Sequence, residues 1–501
     1  MPTYNIPMGI WVLVACGIFL AVGFAMIPLI KRSGKRFIIA GKSLPFALVS
    51  ATLLAQALDA NCSLGNAGAV YAGGFWSGFQ FPLGLVICLL LTGVFFAKPL
   101  NRMNLITLPD FYYRRYDRRV EVIVSALMSF SFLILVAGNL AGCAWILSTL
   151  MPISFIWSLV IIAGIIFAYT LAGGLYSVVS TDIAQVYPAI VAFLTGLIWL
   201  LAAYGGWQYF SGAIPPGYFD MSGLTNIGSG ALLNWGGILA LGIGDIVALD
   251  FMERMFASKS PETAQHACWW AAGWTLAAGL ACSFIGLMAF KLIPAGAIAD
   301  YRMIFPTVAM SYVPFWIGAF MMVGVIAAGM STADGGMLAT CSVWGRNIIQ
   351  RNILQIWRKH YTTEDRARLD RRLLRITRLM GIPVMAIAIL IGYLKPEPGI
   401  MLVLAFDVVF AGCLVPLVLG LFWKKANTYG ALAAVITGSV LRMILYFTIP
   451  PALAGLDTMI PPLVSLAVMV PVCLLTQKQD PPKYKVVHET PDDTLLLSTM
   501  A

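Results

Sequence analysis

The sequence predicts an all-α membrane protein with about thirteen transmembrane helices. Hydrophobic residues make up 60% of the 501 residues and charged residues only 11%, whereas soluble domains carry about 25% charged residues. The mean hydropathy is +0.86. About thirteen apolar runs each reach the ~20 residues that a helix needs to cross a bilayer. The first run has no basic segment before it and is followed by its charges, so we interpret it as a first span rather than a signal peptide.

The predicted spans form one transmembrane domain over residues 1–478, followed by a polar tail at 479–501. Two spans are interrupted by glycine and aspartate, in "ALDANCSLGNAG" and in "NWGGILALGIGDIVALDF". Interrupted membrane helices expose backbone carbonyls that bind ions and solutes. Four spans separate the two interruptions, which fits a repeat of five spans. The repeats are predicted at about 44–205 and 233–423, with flanking helices at 7–29, 427–450 and 459–476.

Most of the 32 lysines and arginines lie in loops on one side of the predicted bilayer. These loops contain "KRSGKR", "YRRYDRR", the arginine-rich connector after the ninth span and "WKK", whereas residues 206–232 have no lysine or arginine. Basic loops stay in the cytoplasm. The N-terminus is therefore predicted outside and the C-terminus inside a cell membrane, which we expect to be a bacterial inner membrane. The net charge of +10 is explained by topology, so no nucleic-acid partner is expected.

The sequence contains no motif typical of an enzyme or of a bound cofactor. The nine cysteines lie in or beside apolar runs, and no pair has the spacing of metal ligands. There is no phosphate-binding loop, no H-E-x-x-H zinc motif and no G-x-S-x-G nucleophile motif. We therefore expect a protein that is not an enzyme and that carries no cofactor.

Acidic residues lie within the predicted spans, where ionisable groups are costly and usually functional. Asp59, Asp245, Asp334 and Asp407 are deep in spans, and the only comparably deep basic residue is Arg442. This excess of acids indicates cation handling. The alternative for each aspartate is a packed structural group that is satisfied by hydrogen bonds.

The ninth span contains "AAGMSTADGG", in which three oxygen atoms share one face of a helix. The carbonyl of Ala328 and the hydroxyls of Ser331 and Thr332 are spaced at i, i+3 and i+4. Sodium is a small hard cation that prefers oxygen ligands of this kind. The alternative is that both hydroxyls only bond back to carbonyls of the preceding turn.

Six segments in this order resemble the sodium:solute symporter family, which has the inverted-repeat fold of the leucine transporter. They are "KRFIIAGKSLPFALVSATLLA", "TLPDFYYRRY", "AGGLYSVVSTDIAQ", "LDFMERMFASKSPETAQ", "AAGMSTADGGML" and "PLVLGLFWKKANTYGALAAVITG". Each segment is degenerate alone, but their order on thirteen spans is specific. The similarity covers about residues 30–480.

The resemblance implies a sodium site made of two carbonyls from the first broken helix and of Ala328, Ser331 and Thr332. Aligning on Asp59 gives the carbonyls of Ala57 and Ala60, which is the preferred pair, whereas aligning on "GAV" gives those of Ala55 and Leu58. Asp182 matches the acid of the family's "TD" motif near the inner exit. Asp182 and Asp334 are candidates for a second cation site or an ion exit, although Asp334 and Gly335 stand where some members have serines.

The resemblance also implies sodium-driven import of a small polar solute by alternating access, with sodium, the solute and the lipid bilayer as partners. Asp59, Asn61, Gln80 and Asp245 are the candidates for facing the solute. The "STAD" segment suits a small organic cation such as a choline-like compound. Alternatives are a proton-coupled carrier of a small carboxylate, amino acid or urea-like solute, and a solute-sensing receptor module, which the short tail disfavours.

Overall fold

A computed structural model describes residues 4–294, 296–298, 300–354, 363–396 and 398–484, and these residues are almost all helical. Most of the predicted tail at 479–501 and part of the arginine-rich connector lie outside the described residues. The first half of the chain contains α1 (Ile6–Ala25), α2 (Gly34–Ile39), α3 (Phe46–Ala57), α4 (Asn66–Gly73), α5 (Phe75–Leu91), α6 (Ala97–Arg102), α7 (Pro109–Arg115), α8 (Arg118–Leu150), α9 (Phe155–Ala203), α10 (Trp207–Ser211) and α11 (Ser222–Thr225).

The second half of the described chain is also helical. It contains α12 (Ala231–Gly242), α13 (Leu249–Ala257), α14 (Pro261–Leu292), α15 (Ile304–Ser311), α16 (Phe315–Val343), α17 (Thr363–Leu394), α18 (Pro398–Gly412), α19 (Leu414–Phe422), α20 (Thr428–Thr448) and α21 (Leu456–Leu475). Wider π-type turns follow three of the helices, at Asn61–Gly65, Thr92–Phe96 and Trp344–Ile353.

Nine helices of the described chain are long and apolar enough to cross a membrane, and three bent helix pairs pass the same test together. Helix α9 has 49 residues, which at 1.5 Å per residue measure about 74 Å, more than twice the ~30 Å of a bilayer core. Counting each bent pair once and α9 as two spans gives the thirteen that the sequence predicts. This division is an inference from helix length.

Gly174 marks the point at which α9 divides. Its φ of 56° and ψ of −146° are non-helical and favour glycine. A Cβ atom at this position would lie 2.4 Å from the carbonyl oxygen of Phe37 in α2. Because the chain changes direction here against a neighbouring backbone, no larger residue fits without movement.

The two predicted interruptions are present, and the structure adds a third. Helix α3 and the segment Asn61–Gly73 meet at 51°, the segment Ala231–Val247 and α13 meet at 44°, and the segment Met401–Gly412 and α19 meet at 46°. The first break lies at 58–60, ahead of the glycines that indicated it. The third break, at Cys413, was not predicted, although Asp407 and Gly412 precede it in the sequence.

Helix α16 runs through the centre of the molecule, where it packs against α8 and α9 and is buried over most of its length up to Val343. Backbone hydrogen bonds join α3 and α13, one half of each of the two predicted broken helices. The N–H of Leu44, before α3, donates to the carbonyl of Ala257 at 3.0 Å, and the N–H of Lys259, after α13, donates to the carbonyl of Leu44 at 3.0 Å. The two half-helices are therefore fixed side by side next to α16.

Candidate functional site

Asp59 caps the second half of the first broken helix. Helix α3 ends because Leu58 leaves the helical region, with φ −100° and ψ 79°. The Asp59 Oδ1 atom then accepts hydrogen bonds from the backbone N–H groups of Asn61 at 3.0 Å and Cys62 at 2.8 Å. An aspartate at this position satisfies N–H groups that have no partner within the helix.

Asn139 of α8 holds the same break from the opposite side. Its Oδ1 atom accepts from the N–H of Ala60 at 3.2 Å, and its Nδ2 atom donates to Asp59 Oδ2 at 3.5 Å. The side chain of Asn61 also donates to Asp59 Oδ2, at 2.5 Å. Asn139 was missed by sequence reasoning, and the available signal was a single amide within the apolar run "LILVAGNLAGCA".

The hydroxyls of Ser331 and Thr332 on α16 face the end of α3. Because residue 59 is not helical, the carbonyl of Ala55 has no helical partner, and it accepts from Ser331 Oγ at 3.2 Å and Thr332 Oγ1 at 3.4 Å. The same hydroxyls lie 2.9 and 3.3 Å from the carbonyl of Ala328. Four buried oxygen atoms from two helices are therefore gathered at one point.

Of the four carbonyls in the two alternative pairs, that of Ala55 lies at these hydroxyls. Ala55 belongs to the pair with Leu58, whereas the preferred pair was Ala57 and Ala60. The carbonyl of Ala57 accepts from Cys62 Sγ at 3.2 Å, and that of Ala60 accepts from Ser63 Oγ at 3.3 Å. Of the two alternatives, the alignment on "GAV" includes the carbonyl that lies at these hydroxyls, whereas Asp59 caps the next half-helix.

Asp182 on α9 faces a buried arginine that sequence reasoning did not use. Arg254 Nη2 lies 3.8 Å from Asp182 Oδ2, and the Thr52 hydroxyl donates to the same oxygen. A Cβ atom on Gly335 would lie 2.5 Å from both Arg254 Nη2 and Gln56 Oε1. Glycine at 335 thus makes room for the guanidinium group where a serine would not fit without movement.

Asp334 lies on the same side of α16 as this arginine but bonds to other groups. Its Oδ2 atom accepts from Tyr169 Oη at 2.6 Å and from Thr181 Oγ1 at 3.4 Å. Its Oδ1 atom, and that of Asp182, have no hydrogen-bond partner among the described residues. Both carboxylates therefore keep one oxygen atom able to accept another ligand.

Asp245 lies in the second break, in a turn of 3₁₀ helix over Gly244–Val247. With Asp59, Asp250 and Thr332 it lines a small cavity of about 10 Å³, room for a single water-sized particle. The Oδ1 atom of Asp245 has no hydrogen-bond partner in the described part of the chain. The two predicted breaks thus face each other across a space lined by three carboxylates.

A larger cavity of about 810 Å³, here called the vestibule, opens above the first break on the side that the basic loops predict to be outside. Residues of α4, α5, α12, α18, α20 and α21 line it. Gln80 contributes to its wall, where Nε2 donates to the carbonyl of Ser77 at 2.7 Å. Asn61 does not line the vestibule and bonds to Asp59 instead.

Three charged side chains meet in the vestibule wall. Arg442 on α20 donates to Asp407 Oδ2 on α18 at 2.7 Å and to Asp457 Oδ2 on α21 at 2.9 Å. The sequence identified Asp407 and Arg442 as deep charges but did not predict that they pair. Asp457 escaped notice because it follows Gly455 at the start of a span.

A second cluster of buried charges lies at the predicted cytoplasmic end. Asp110 on α7 accepts from Arg346 Nε at 2.8 Å and Arg351 Nη2 at 2.8 Å, and Arg351 also pairs with Glu121. Burial alone would raise the pKa of the Asp110 carboxyl, but the two guanidinium groups hold that pKa well below its usual range. These charges are balanced within the protein.

A model of the sodium:solute symporter family matches residues 37–438. The chain belongs to the sodium:solute symporter family. This family consists of transporters rather than enzymes. Among the described residues, no group of three or more histidine, cysteine, aspartate or glutamate side chains is arranged to hold a metal ion.

Relatives within this family carry different solutes. The chain is 27% identical over 428 residues to the high affinity choline transporter 1 of Homo sapiens, covering 82% of this chain and 71% of the human protein. It is 25% identical over 473 residues to the sodium/glucose cotransporter of Vibrio parahaemolyticus, covering 86% and 82%. It is 25% identical over 493 residues to the sodium/proline symporter of Staphylococcus aureus, covering 92% and 93%.

Solved structures share the fold of this symporter. The substrate-bound, outward-open state of a sodium-coupled sialic acid symporter superposes with a TM-score of 0.78 at 16% identity, covering 93% of this chain and 98% of that one. A nucleobase-cation-symport-1 family transporter superposes with a TM-score of 0.54 at 14% identity, covering 90% and 97%. The predicted leucine-transporter-like fold is confirmed.

Proposed function

We propose that this symporter imports a small organic cation together with sodium, and that sodium binds where α3 and α16 meet. The observation that carries this proposal is the group of oxygen atoms from Ala55, Ala328, Ser331 and Thr332. A hydroxyl oxygen can accept a cation when its hydrogen turns away, and carbonyl oxygens bind hard cations directly. One ion there would join the first broken helix to α16.

Leu58 supplies the fifth proposed sodium ligand. It ends α3, three residues after Ala55. Its carbonyl lies beyond the last helical turn, so it is not needed for a bond within α3. The proposed sodium ligands are therefore Ala55, Leu58, Ala328, Ser331 and Thr332, with Ala57 and Ala60 replaced.

Asp182 and Asp334 lie on the proposed exit path of the ion. Each has one oxygen atom without a partner among the described residues, which supports transient binding of a cation. The guanidinium group of Arg254 already faces Asp182, and Gly335 offers no hydroxyl. These features favour an exit route over a second resident sodium site.

The acids between the breaks support a cationic solute. Asp59 and Asp245 line the small cavity with Asp250, and no arginine or lysine of the described chain lines it. Relatives that are named choline transporters support a choline-like compound. Because the cavity holds only about one water molecule, the solute would enter when the breaks move apart. Gln80 and Asn61 are proposed to contact or orient it.

The vestibule supports an outward-facing state of an alternating-access cycle in a cell membrane, which we propose to be a bacterial inner membrane. Sodium binding would draw the first broken helix toward α16 and close the vestibule over the solute. Each positive charge that moves inward gains about 2.3 kcal/mol per 100 mV of membrane potential. Two charges, sodium and the cation, would therefore make uptake strongly dependent on that potential.

Uptake of radiolabelled choline into proteoliposomes tests the coupling. We expect accumulation with an inward sodium gradient that persists with a proton uncoupler. Uptake that is indifferent to sodium would contradict the proposal. A failure of choline, with sodium-driven uptake of glucose or proline instead, would leave sodium coupling standing and reject the cation.

Ser331→Ala and Thr332→Ala test the position of the sodium site. Each variant removes one ligand, and we expect the half-saturating sodium concentration to rise about tenfold, equivalent to about 1.4 kcal/mol. Thr340→Ala is the matched control, because among the described residues its hydroxyl bonds only to the Gly336 carbonyl one turn before it on the same helix, at 2.8 Å. An equal rise of the half-saturating sodium concentration in all three variants would show that the sodium site is elsewhere.

Proton coupling is the second candidate, and one observation favours it. Asp245 and Asp334 each keep a buried oxygen atom without a partner in the described chain, where a proton could bind. Under this alternative, a proton gradient would drive uptake without sodium, and Asp334→Asn would abolish that dependence.

A further inference from the structure

The wall of the vestibule contains a carboxylate that is only partly satisfied. Asp407 is 2% exposed, and its Oδ2 atom accepts from Arg442 Nη2. Its Oδ1 atom accepts no hydrogen bond of ordinary geometry among the described residues, and the Thr458 hydroxyl is the other polar group beside this carboxylate. A buried charged oxygen without a partner is costly, so such an atom indicates a ligand.

The neighbouring charged groups do not neutralise the Asp407 carboxylate. Asp457 accepts from Arg442 at one oxygen and from the N–H of Gly455 at the other, at 2.8 Å. Arg442 is thus shared between two carboxylates, which leaves one negative charge unbalanced. The other pair in the wall, Asp300 with Arg302, is balanced by bonds of 2.7 and 2.8 Å.

The vestibule as a whole carries a net negative charge. Three carboxylates and two guanidinium groups line it, and no lysine does so within the described residues. The ring of Tyr301 also lines it, and aromatic faces attract organic cations. The ring of Tyr446 lines it too but already faces the guanidinium of Arg442 at 5.2 Å. At about 810 Å³, the vestibule has the volume of a ligand pocket.

We propose that Asp407, held in the vestibule wall by Arg442, forms an outer binding site for an organic monocation on its way to the central site. The inference rests on the proposed function in one respect, that the solute is a cation. It does not depend on the sodium ligands, since α16 does not line the vestibule. The outer site therefore binds without sodium.

A cysteine placed in the vestibule reports on this site. Ala454→Cys lies in the wall, and the nine native cysteines are all buried. The rate at which this cysteine is modified is measured with two methanethiosulfonate reagents, one carrying a trimethylammonium group and one carrying a sulfonate group. Each measurement is made in potassium buffer without sodium, with and without choline. We expect choline to slow modification by the cationic reagent. Asp407→Asn should remove this protection, and it should lower the ratio of the cationic to the anionic modification rate about fivefold.

Asp300→Asn is the matched control, because it removes the same charge from the same vestibule at a balanced pair. We expect it to preserve protection by choline. Three results would overturn the outer site. They are an equal loss of protection in both variants, protection by choline that survives Asp407→Asn, and no protection by choline in the parent protein. If Asp407-dependent protection is present while sodium-driven uptake is absent, the proposed function fails and the outer site stands.

Discussion

The two groups of buried acids in this symporter are satisfied in different ways. At the predicted cytoplasmic end, Asp110 is bonded to Arg346 and Arg351 through both oxygens. Midway through the spans, Asp59 is bonded to amide and backbone N–H groups, and Asp245 keeps an oxygen with no partner among the described residues. The first group is neutralised by the protein, whereas the second is not.

This difference separates structural acids from candidate transport acids. An acid that is paired with arginine has little need of another cation, and its removal leaves buried positive charge unpaired. An acid with an unpartnered oxygen gains from an external cation and contributes little to stability without one. Four predictions test this distinction.

The largest effect is expected at the cluster of buried charges around Asp110. Asp110→Asn leaves Arg346 and Arg351 without their shared carboxylate, so we expect a loss of about 3–5 kcal/mol in the free energy of unfolding. Thermal unfolding of the purified protein measures it, with the exposed Asp220→Asn as control. A loss in Asp110→Asn no greater than in the control would contradict the structural assignment.

The next effect is expected at the clamp on the first break. Asn139→Ala removes the acceptor for the N–H of Ala60 and a donor to Asp59, so we expect a loss of about 1–3 kcal/mol in the free energy of unfolding. Because the break carries the proposed sodium ligands, the stabilisation by sodium should also shrink. If stability falls while the response to sodium is unchanged, Asn139 does not position the site.

A small effect on stability is expected at the second break. Asp245→Asn replaces a partly unsatisfied carboxylate with a neutral amide that is less costly to bury, so we expect a change within about 1 kcal/mol. Uptake of the cationic solute should nevertheless be lost or its KM raised at least about tenfold, equivalent to about 1.4 kcal/mol. Unchanged uptake would remove Asp245 from the solute site.

The smallest expected effect is that of pH near neutrality on the stability contributed by Asp110. The pKa of Asp110 in the folded protein is below that of an unfolded aspartate, about 3.9. Its stabilising contribution is therefore complete above about pH 4 and is lost as the pH falls toward the folded value. The difference in Tm between the parent and Asp110→Asn should stay constant from about pH 5 to 8, and a change across that range would contradict the ion pairing.

The fold and the candidate site were predictable from the sequence to different depths. Apolar length and order predicted the spans, and the spacing of Ala328, Ser331 and Thr332 depends only on helical periodicity. The carbonyls of the first break could not be fixed, because Asp59 signals where the next half-helix is capped and not where α3 ends.

Contacts between distant segments were the part that the sequence could not supply. Arg254 reaches Asp182 only because Gly335 leaves space, and Asp407 meets Arg442 and Asp457 only once three helices pack. Each of these residues is an ordinary charge in its own segment. Their pairing depends on tertiary distances, which no local pattern encodes.

Sodium-dependent thermal stabilisation of the purified protein, measured without solute, tests whether sodium binds at the junction of α3 and α16. Binding to the folded state raises stability by RT ln(1 + [Na⁺]/Kd). We expect Tm to rise with sodium relative to potassium in the parent, in Thr340→Ala and, from a lower start, in Asp110→Asn, but not in the Ser331→Ala, Thr332→Ala double variant. A double variant that keeps the full rise would contradict a sodium site at the junction of α3 and α16.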